Sequence, residues 1–139
     1  MTDLDKNLLD EVNLLREQVS QYQAWFRAID EYAPFDFWFK DAQSNYRYVN
    51  PHFAKNMGRD KSQLQGVPLS EMFEGERYDR VRALDQQVMS EGFLSRVVPC
   101  EASGTLEMHE EHRFVVKGDA GEAIGLCLLY TSPSPRDRG

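Results

Sequence analysis

The sequence is poor in cysteine and histidine, with two cysteines and three histidines among its 139 residues. Two cysteines are too few for the disulfide framework of a small secreted domain, and Cys100 and Cys127 match no metal-binding spacing. No run approaches the roughly 18 apolar residues that a membrane span requires, and the polar start does not resemble a signal peptide. These absences predict a cytoplasmic location, and they leave open a membrane span elsewhere in a longer parent protein.

Basic residues are also scarce relative to acidic ones. Sixteen Lys and Arg stand against 23 Asp and Glu, which gives a net charge of −7. This balance argues against a nucleic-acid backbone or an anionic membrane surface as the main partner. The apolar fraction of 41% and the charged fraction of 28% are typical of a globular domain, and the length is that of one domain.

The motifs of several enzyme and metal-binding classes are missing. The sequence contains no Gly-x-Ser-x-Gly and no phosphate-binding glycine loop, and no pattern supplies a base for Cys100. His109 and His112 are three residues apart in a predicted strand, so their side chains should point to opposite faces and not share one ion. We therefore predict no catalytic residue, no metal site and no enzyme activity within this chain.

The first 33 residues carry a heptad pattern. Apolar residues recur in steps of four and three, as in the seam of a two-stranded coiled coil. No proline or glycine interrupts residues 2–33, and Pro34 ends the predicted helix. We predict a helix that dimerises; because barely three repeats are present, an amphipathic helix packed on its own domain remains the alternative. The seam consists of Leu8, Val12, Leu15, Val19, Tyr22, Phe26 and Ile29.

The rest of the chain alternates between strand and helix signals. A short helix should begin at Pro51 and stop at Gly58, and a longer one should cover residues 76–91. On the longer helix the apolar stripe is Val81, Leu84 and Val88, which assigns Asp85 to the solvent side. The order predicts an α+β fold, a five-stranded antiparallel sheet with its helices on one face. The predicted strands are 35–40, 46–49, 93–100, 106–117 and 123 onward.

The last segment has an unusual composition. Residues 127–137 resemble, residue by residue, one reading frame through a transposase-type sequencing adapter. The alternative is a natural linker rich in serine and proline. We interpret residues 127–139 as an adapter-derived tail, which implies that the natural gene continued beyond Leu126.

Several phrases in order resemble the PAS family, whose members are sensory modules of bacterial signalling proteins. The resemblance covers roughly residues 26–126 and includes Phe37-Trp38-Phe39-Lys40-Asp41, Tyr46-Arg47-Tyr48-Val49-Asn50, Leu64-Gln65-Gly66-Val67 and a closing hairpin at 113–126. Many members end in an Asp-Ile-Thr phrase, where this chain has Tyr130-Thr131-Ser132. The loss of that phrase means that the output domain is not identified.

The resemblance implies a sheet that curves around a cavity roofed by short helices, in which a small molecule binds and from which flanking helices carry a signal. The segments are then a dimerisation and signalling helix at 1–33, a PAS-like sensory domain at 34–126 and the tail at 127–139. We expect a homodimer through the first helix, and a covalently linked output domain is expected outside this chain. Two alternatives stay open: an interaction module with a filled core, and a heme-based gas or redox sensor.

Ten residues are expected to line the cavity, by their face and by the resemblance. Arg113 is the expected polar anchor, because a buried arginine needs an anion or a carboxylate. A flavin-adduct photoreceptor is excluded because residues 56–66 hold no cysteine, and heme is disfavoured because residues 78–90 hold no histidine. His52 is expected to be exposed at a helix start. The expected lining is Trp38, Tyr48, Phe53, Met57, Met72, Phe73, Leu84, Val88, Arg113 and Phe114.

Overall fold

The computed structural model describes residues 2–102 and 104–131. The chain divides between Ala33 and Pro34 into two units, which we call the helical unit and the sheet unit. The helical unit is a single helix, α1 (Asp3–Tyr32). Its start is fixed by a capping box, in which the Asp5 amide donates to the Thr2 hydroxyl at 3.1 Å and the Thr2 amide donates to the Asp5 carboxylate at 3.3 Å.

The predicted seam follows one face of α1. No residue of α1, all of which the structure describes, is buried within this chain. The seven seam side chains are between 38% and 55% exposed, although apolar side chains of this size are usually inside a folded protein. Among the helices of the described residues, none is both long and apolar enough to cross a membrane.

The sheet unit contains a five-stranded antiparallel sheet in the order β2-β1-β5-β4-β3. Alternating apolar residues and strand-favouring aromatics place β1 and β2 within one residue of their predicted bounds. The predicted α+β fold is confirmed. The strands are β1 (Asp36–Asp41), β2 (Tyr46–Val49), β3 (Phe93–Ala102), β4 (Thr105–Lys117) and β5 (Ala123–Thr131).

The helices of the sheet unit lie between β2 and β3 in sequence. They are α2 (Pro51–Met57), a 3-10 turn (Lys61–Gln63), α3 (Leu69–Met72) and α4 (Gly75–Glu91). Asn50 caps α2 by accepting from the Phe53 amide at 3.0 Å, and Gly92 ends α4 at a φ of 89°, which glycine adopts without strain. The sequence does not predict α3, because four residues are too short for a helical period.

The final strand runs beyond the boundary that the sequence predicts at Leu126. Residues 127–131 continue β5, which lies between β1 and β4, so Cys127 and Leu128 are buried at the centre of the sheet. A Cβ atom at Gly125 would collide with the backbone carbonyl oxygen of Lys40, which explains the glycine in this strand. The adapter origin of the tail stays a prediction; its residues 132–139 lie outside the described residues.

The core of the sheet unit lies between the inner face of the sheet and its helices. Trp38 and Lys40 of β1 and Leu126 and Leu128 of β5 face this layer, because alternate side chains of a strand share one face. The most buried apolar residues are Trp38, Val49, Leu64, Leu69, Val88 and Leu126.

Candidate functional site

A cavity of about 390 Å³ opens between the inner face of the sheet and the helices α2 and α4 of the sheet unit. It is lined by side chains of β1, β2, β4 and β5 on the sheet side, and of α2, α4 and Phe73 on the helix side. Six of the ten expected lining residues are here. They are Trp38, Phe53, Met57, Phe73, Leu84 and Arg113.

Tyr48 and Phe114 do not line the cavity, which corrects their expected placement. Tyr48 packs on the opposite face of the sheet, with its ring centroid 5.8 Å from that of Phe37 and 6.3 Å from that of Phe39. Phe114 follows Arg113 in β4, so it points away from the face that carries Arg113. The sequence pattern shows which residues share a face, but not which face meets the helices.

Val88 and Met72 are also absent from the lining of this cavity. Val88 is fully buried in the core cluster, and Met72 packs against that cluster while it is partly exposed. Both residues therefore have the packing role that buried apolar side chains usually have. For them, the alternative of simple core filling is the better description.

A buried ion pair joins the lining residue Lys40 to Asp85, and it is not among the predictions made from the sequence. The Lys40 ammonium of β1 donates to the Asp85 carboxylate of α4 at 2.8 Å, and each side chain is 2% exposed. The ammonium also lies 4.5 Å from the ring centroid of Trp38 and 4.8 Å from that of Tyr46. Burial lowers the pKa of Lys40 below its ordinary value, and the charge and hydrogen bond of Asp85 counteract part of this effect.

Arg113 extends this pair into a chain of charges along the cavity wall. Its Nε donates to Glu111, and its Nη1 lies 3.4 Å from Asp85 Oδ1. Glu111 also accepts from Arg96 Nε at 3.0 Å. Burial alone would raise the pKa of Glu111, but hydrogen bonds and charges from Arg96 and Arg113 outweigh it and hold that pKa below its ordinary value.

A second polar group lies at the start of β1. Asp36 Oδ1 is 2.6 Å from His52 Nδ1 and accepts from the Asn56 side-chain amide at 2.8 Å. His52 is half-buried in this contact, so it is less exposed than the sequence predicts for a residue at a helix start. Asp36 contributes to the cavity lining, and His52 does not.

Aromatic rings form much of the apolar wall. The Trp38 and Tyr46 ring centroids are 5.6 Å apart in an edge-to-face arrangement, and the Tyr46 and Phe53 centroids are also 5.6 Å apart. Burial and the nearby Asp85 charge raise the pKa of the Tyr46 hydroxyl, so it stays protonated at neutral pH. The wall therefore offers apolar surface beside the charged chain.

The remaining histidines and cysteines do not line the cavity. His109 contacts Glu107 and stacks on Tyr130 with a centroid distance of 5.0 Å, whereas His112 contacts Glu110 and Ser95 on the opposite face of β4. Burial raises the pKa of the Cys127 thiol to about 12, so the thiol is unreactive. Within residues 2–102 and 104–131, no group of three His, Cys, Asp or Glu side chains is arranged to hold a metal ion.

The prediction that Asp85 lies on the solvent side of α4 is wrong, because its side chain is 2% exposed, and the sequence does contain a signal for both members of the ion pair. Lys40 follows Trp38 by two residues in a strand, so the two share a face. Asp85 is four residues after Val81 and three before Val88, so it lies on the apolar stripe of α4. A charged residue on a buried stripe predicts a buried partner of opposite charge.

Comparison of the sequence with models of known protein families gives one match. The family model described as the PAS fold matches residues 32–138. No curated protein sequence matches this chain.

Solved structures share the fold at low sequence identity. The PAS domain of Bordetella pertussis BvgS has a TM-score of 0.62 at 13% identity over 88% of this chain and 93% of its own. A sensory box sensor histidine kinase from Vibrio cholerae has a TM-score of 0.56 at 14% identity, over 86% of this chain and 98% of its own. The Vibrio cholerae VqmA dimer, of the LuxR-type receptors, has a TM-score of 0.61 at 15% identity over 79% of this chain. This match spans 52% of the VqmA chain, about half its length.

Proposed function

This chain belongs to the PAS family, and we propose that it is the sensory module of a signal-transduction protein, which binds a small molecule in its cavity. The observation that carries this proposal is the cavity itself, whose volume of about 390 Å³ falls within the range of roughly 300–1,000 Å³ typical of small-molecule sites. Its wall combines aromatic surface with a few charged groups, as such sites usually do. A module with a filled core would not need this space.

The output of the signal belongs to a part of the protein outside this chain. PAS domains are generally sensory and not catalytic, and structural neighbours include a sensor histidine kinase and a LuxR-type receptor. We propose that this chain likewise has no catalytic role and regulates a linked domain. We also propose a cytoplasmic location, where a reducing environment would keep the free cysteines Cys100 and Cys127 as thiols.

We expect a substitution that fills the cavity with a larger side chain to abolish ligand binding. The change Leu84→Trp places a larger side chain in the lining, so a small molecule retained on purification should disappear from the native mass spectrum. A ligand that binds the unaltered protein at about 100 times its dissociation constant should stabilise it by about 2.7 kcal/mol, and this stabilisation should vanish in the variant. Native mass spectrometry and thermal unfolding measure the two effects.

The matched control is Ile124→Trp, because Ile124 is half-exposed and does not line the cavity. This variant should keep both the retained molecule and the thermal shift. A clean apo mass, together with no thermal shift of the unaltered protein across a broad metabolite panel, would refute ligand sensing. That result would favour the ligand-free interaction module.

We further propose that α1 forms a homodimer through the seam. The support is the row of exposed apolar side chains at heptad spacing, which a partner helix would cover. The change Leu15→Glu should raise the dimer dissociation constant about hundredfold or more, because each chain would bring a carboxylate into an apolar seam. Sedimentation equilibrium measures this constant.

Leu14 provides a matched control for this test. It is 55% exposed and Leu15 is 53% exposed, but Leu14 lies outside the heptad seam. Leu14→Glu should therefore leave the dimer intact. Two results would exclude dimerisation through the seam. One is unaltered protein that is monomeric at high concentration, and the other is a dimer that the two changes weaken equally.

A further inference from the structure

The lining of the cavity has an excess of positive charge. Its cationic side chains are Lys40, Arg77, Arg80 and Arg113, and its carboxylates are Asp36 and Glu111. Asp85, next to the cavity, is already paired with Lys40 at 2.8 Å. The excess is notable because the whole chain carries a net charge of −7.

The three arginines of the lining have N–H donors that are not used in contacts with other described residues. A guanidinium carries five N–H donors, and Arg113 directs its Nε to Glu111 and its Nη1 to Asp85. The contact to Asp85 is 3.4 Å, which is long beside the 2.7–2.9 Å or so of a strong charge-assisted hydrogen bond. Arg77 lies over the Phe73 ring at 5.3 Å, and Arg80 has no ion-pair partner among the described residues.

These arginines differ in depth. The Arg113 side chain is largely buried on β4, whereas Arg77 and Arg80 are exposed on the first turns of α4, where the cavity meets solvent. Apart from Lys40, Asp36 and Glu111, the rest of the wall is formed mainly by aromatic and aliphatic side chains, including Trp38 and Phe53. A ligand that matches this surface has an apolar body and a negatively charged group.

We propose that the cavity takes a small organic anion, with its apolar body against the aromatic wall and its carboxylate, sulfonate or phosphate group at Arg77, Arg80 and Arg113. This inference rests on the proposed function, because it requires the cavity to bind a small molecule. It adds the chemical class of the ligand. Planar guanidinium groups suit such anions, since they donate two parallel hydrogen bonds to one acidic group.

A matched pair of fluorescent probes tests the charge requirement. The anion 8-anilinonaphthalene-1-sulfonate and the neutral N-phenyl-1-naphthylamine share one ring system and differ in the sulfonate. Binding to the cavity is defined as the part that Leu84→Trp removes. We expect the anion to bind about tenfold more tightly than the neutral probe, since a charged hydrogen bond contributes about that factor or more.

Arginine variants locate the anion. The double change Arg77→Gln and Arg80→Gln should weaken the anionic probe about tenfold and leave the neutral probe unchanged. The control double change Arg47→Gln and Arg59→Gln removes two exposed arginines outside the cavity lining and should change neither affinity. Both arginines of the first pair are exposed, so the fold should tolerate their loss.

The outcomes separate the two proposals. Equal affinities of the two probes, both lost in Leu84→Trp, would overturn the anion inference and leave the proposed cavity binding in place. Anion binding that the Arg77 and Arg80 changes do not weaken would also overturn it. If Leu84→Trp removes no binding of either probe, the cavity takes neither, and the proposed ligand-binding function fails together with the inference.

Discussion

Replacing Asp85 with alanine is expected to destabilise the sheet unit by about 3–5 kcal/mol, because it leaves the Lys40 charge buried without a partner. Both side chains are almost fully enclosed, so water cannot replace the lost carboxylate. Arg113 loses its contact with Asp85 in the same variant. Urea unfolding followed by circular dichroism measures the loss.

Two further variants decide the cause. Asp79→Ala removes an exposed carboxylate from the same helix and should change stability by about 0.5 kcal/mol or less. The double change Lys40→Met and Asp85→Leu removes both charges and should recover most of the stability, since apolar pairs often replace buried ion pairs without loss. An Asp85→Ala protein as stable as the Asp79→Ala protein would show that the pair does not hold α4 to the sheet.

The loss in free energy of unfolding that Asp85→Ala causes should become smaller as the pH rises. Asp85 supplies the attraction and hydrogen bond that raise the pKa of Lys40, so its removal leaves burial and the nearby arginines, which lower that pKa further below 10.5. Between the lowered folded-state pKa and 10.5, the unfolded chain binds more protons than the folded chain, so stability rises with pH. A deficit that is constant up to pH 10 would contradict a buried ammonium as its cause.

Ending the chain after Leu126 is expected to prevent the sheet unit from folding. Residues 127–130 pair with 36–39 of β1 on one side and with 111–114 of β4 on the other, so after their loss only residues 125–126 of β5 would still join β1 to β4. Buried Cys127 and Leu128 disappear as well. The combined loss should exceed the roughly 5–15 kcal/mol that usually stabilises a domain. Circular dichroism and amide chemical-shift dispersion report folding.

The matched control is a chain that ends after Thr131, which keeps all of β5 and should stay folded. A chain ending at Leu126 that folds with unchanged stability would show that residues 34–126 form the domain, as the sequence alone predicts. The expected result would instead make residues 127–131 necessary for folding, whatever the origin of the tail.

Much of the fold was predictable because its signals are local. Residues 46–49 and 51–57 were predicted with the bounds that the structure has, since alternation marks a strand and Asn50, Pro51 and Gly58 mark the ends of a helix. The cavity was predicted less completely. Trp38 and Arg113 line the cavity, whereas Tyr48 and Phe114 lie on the opposite face of the sheet, and the binding of a ligand by any predicted lining residue stays a prediction.

The sequence by itself determined most of the elements, their order and the residues that share a face along each strand, because these properties depend on neighbours a few positions apart. Only the tertiary structure decided which face meets the helices, that β5 is central, and that Lys40 and Asp85, which are 45 positions apart in the sequence, meet. A strand pattern with period two is unchanged when its two faces are exchanged. Contacts between distant segments settle that choice, and a single sequence does not record those contacts.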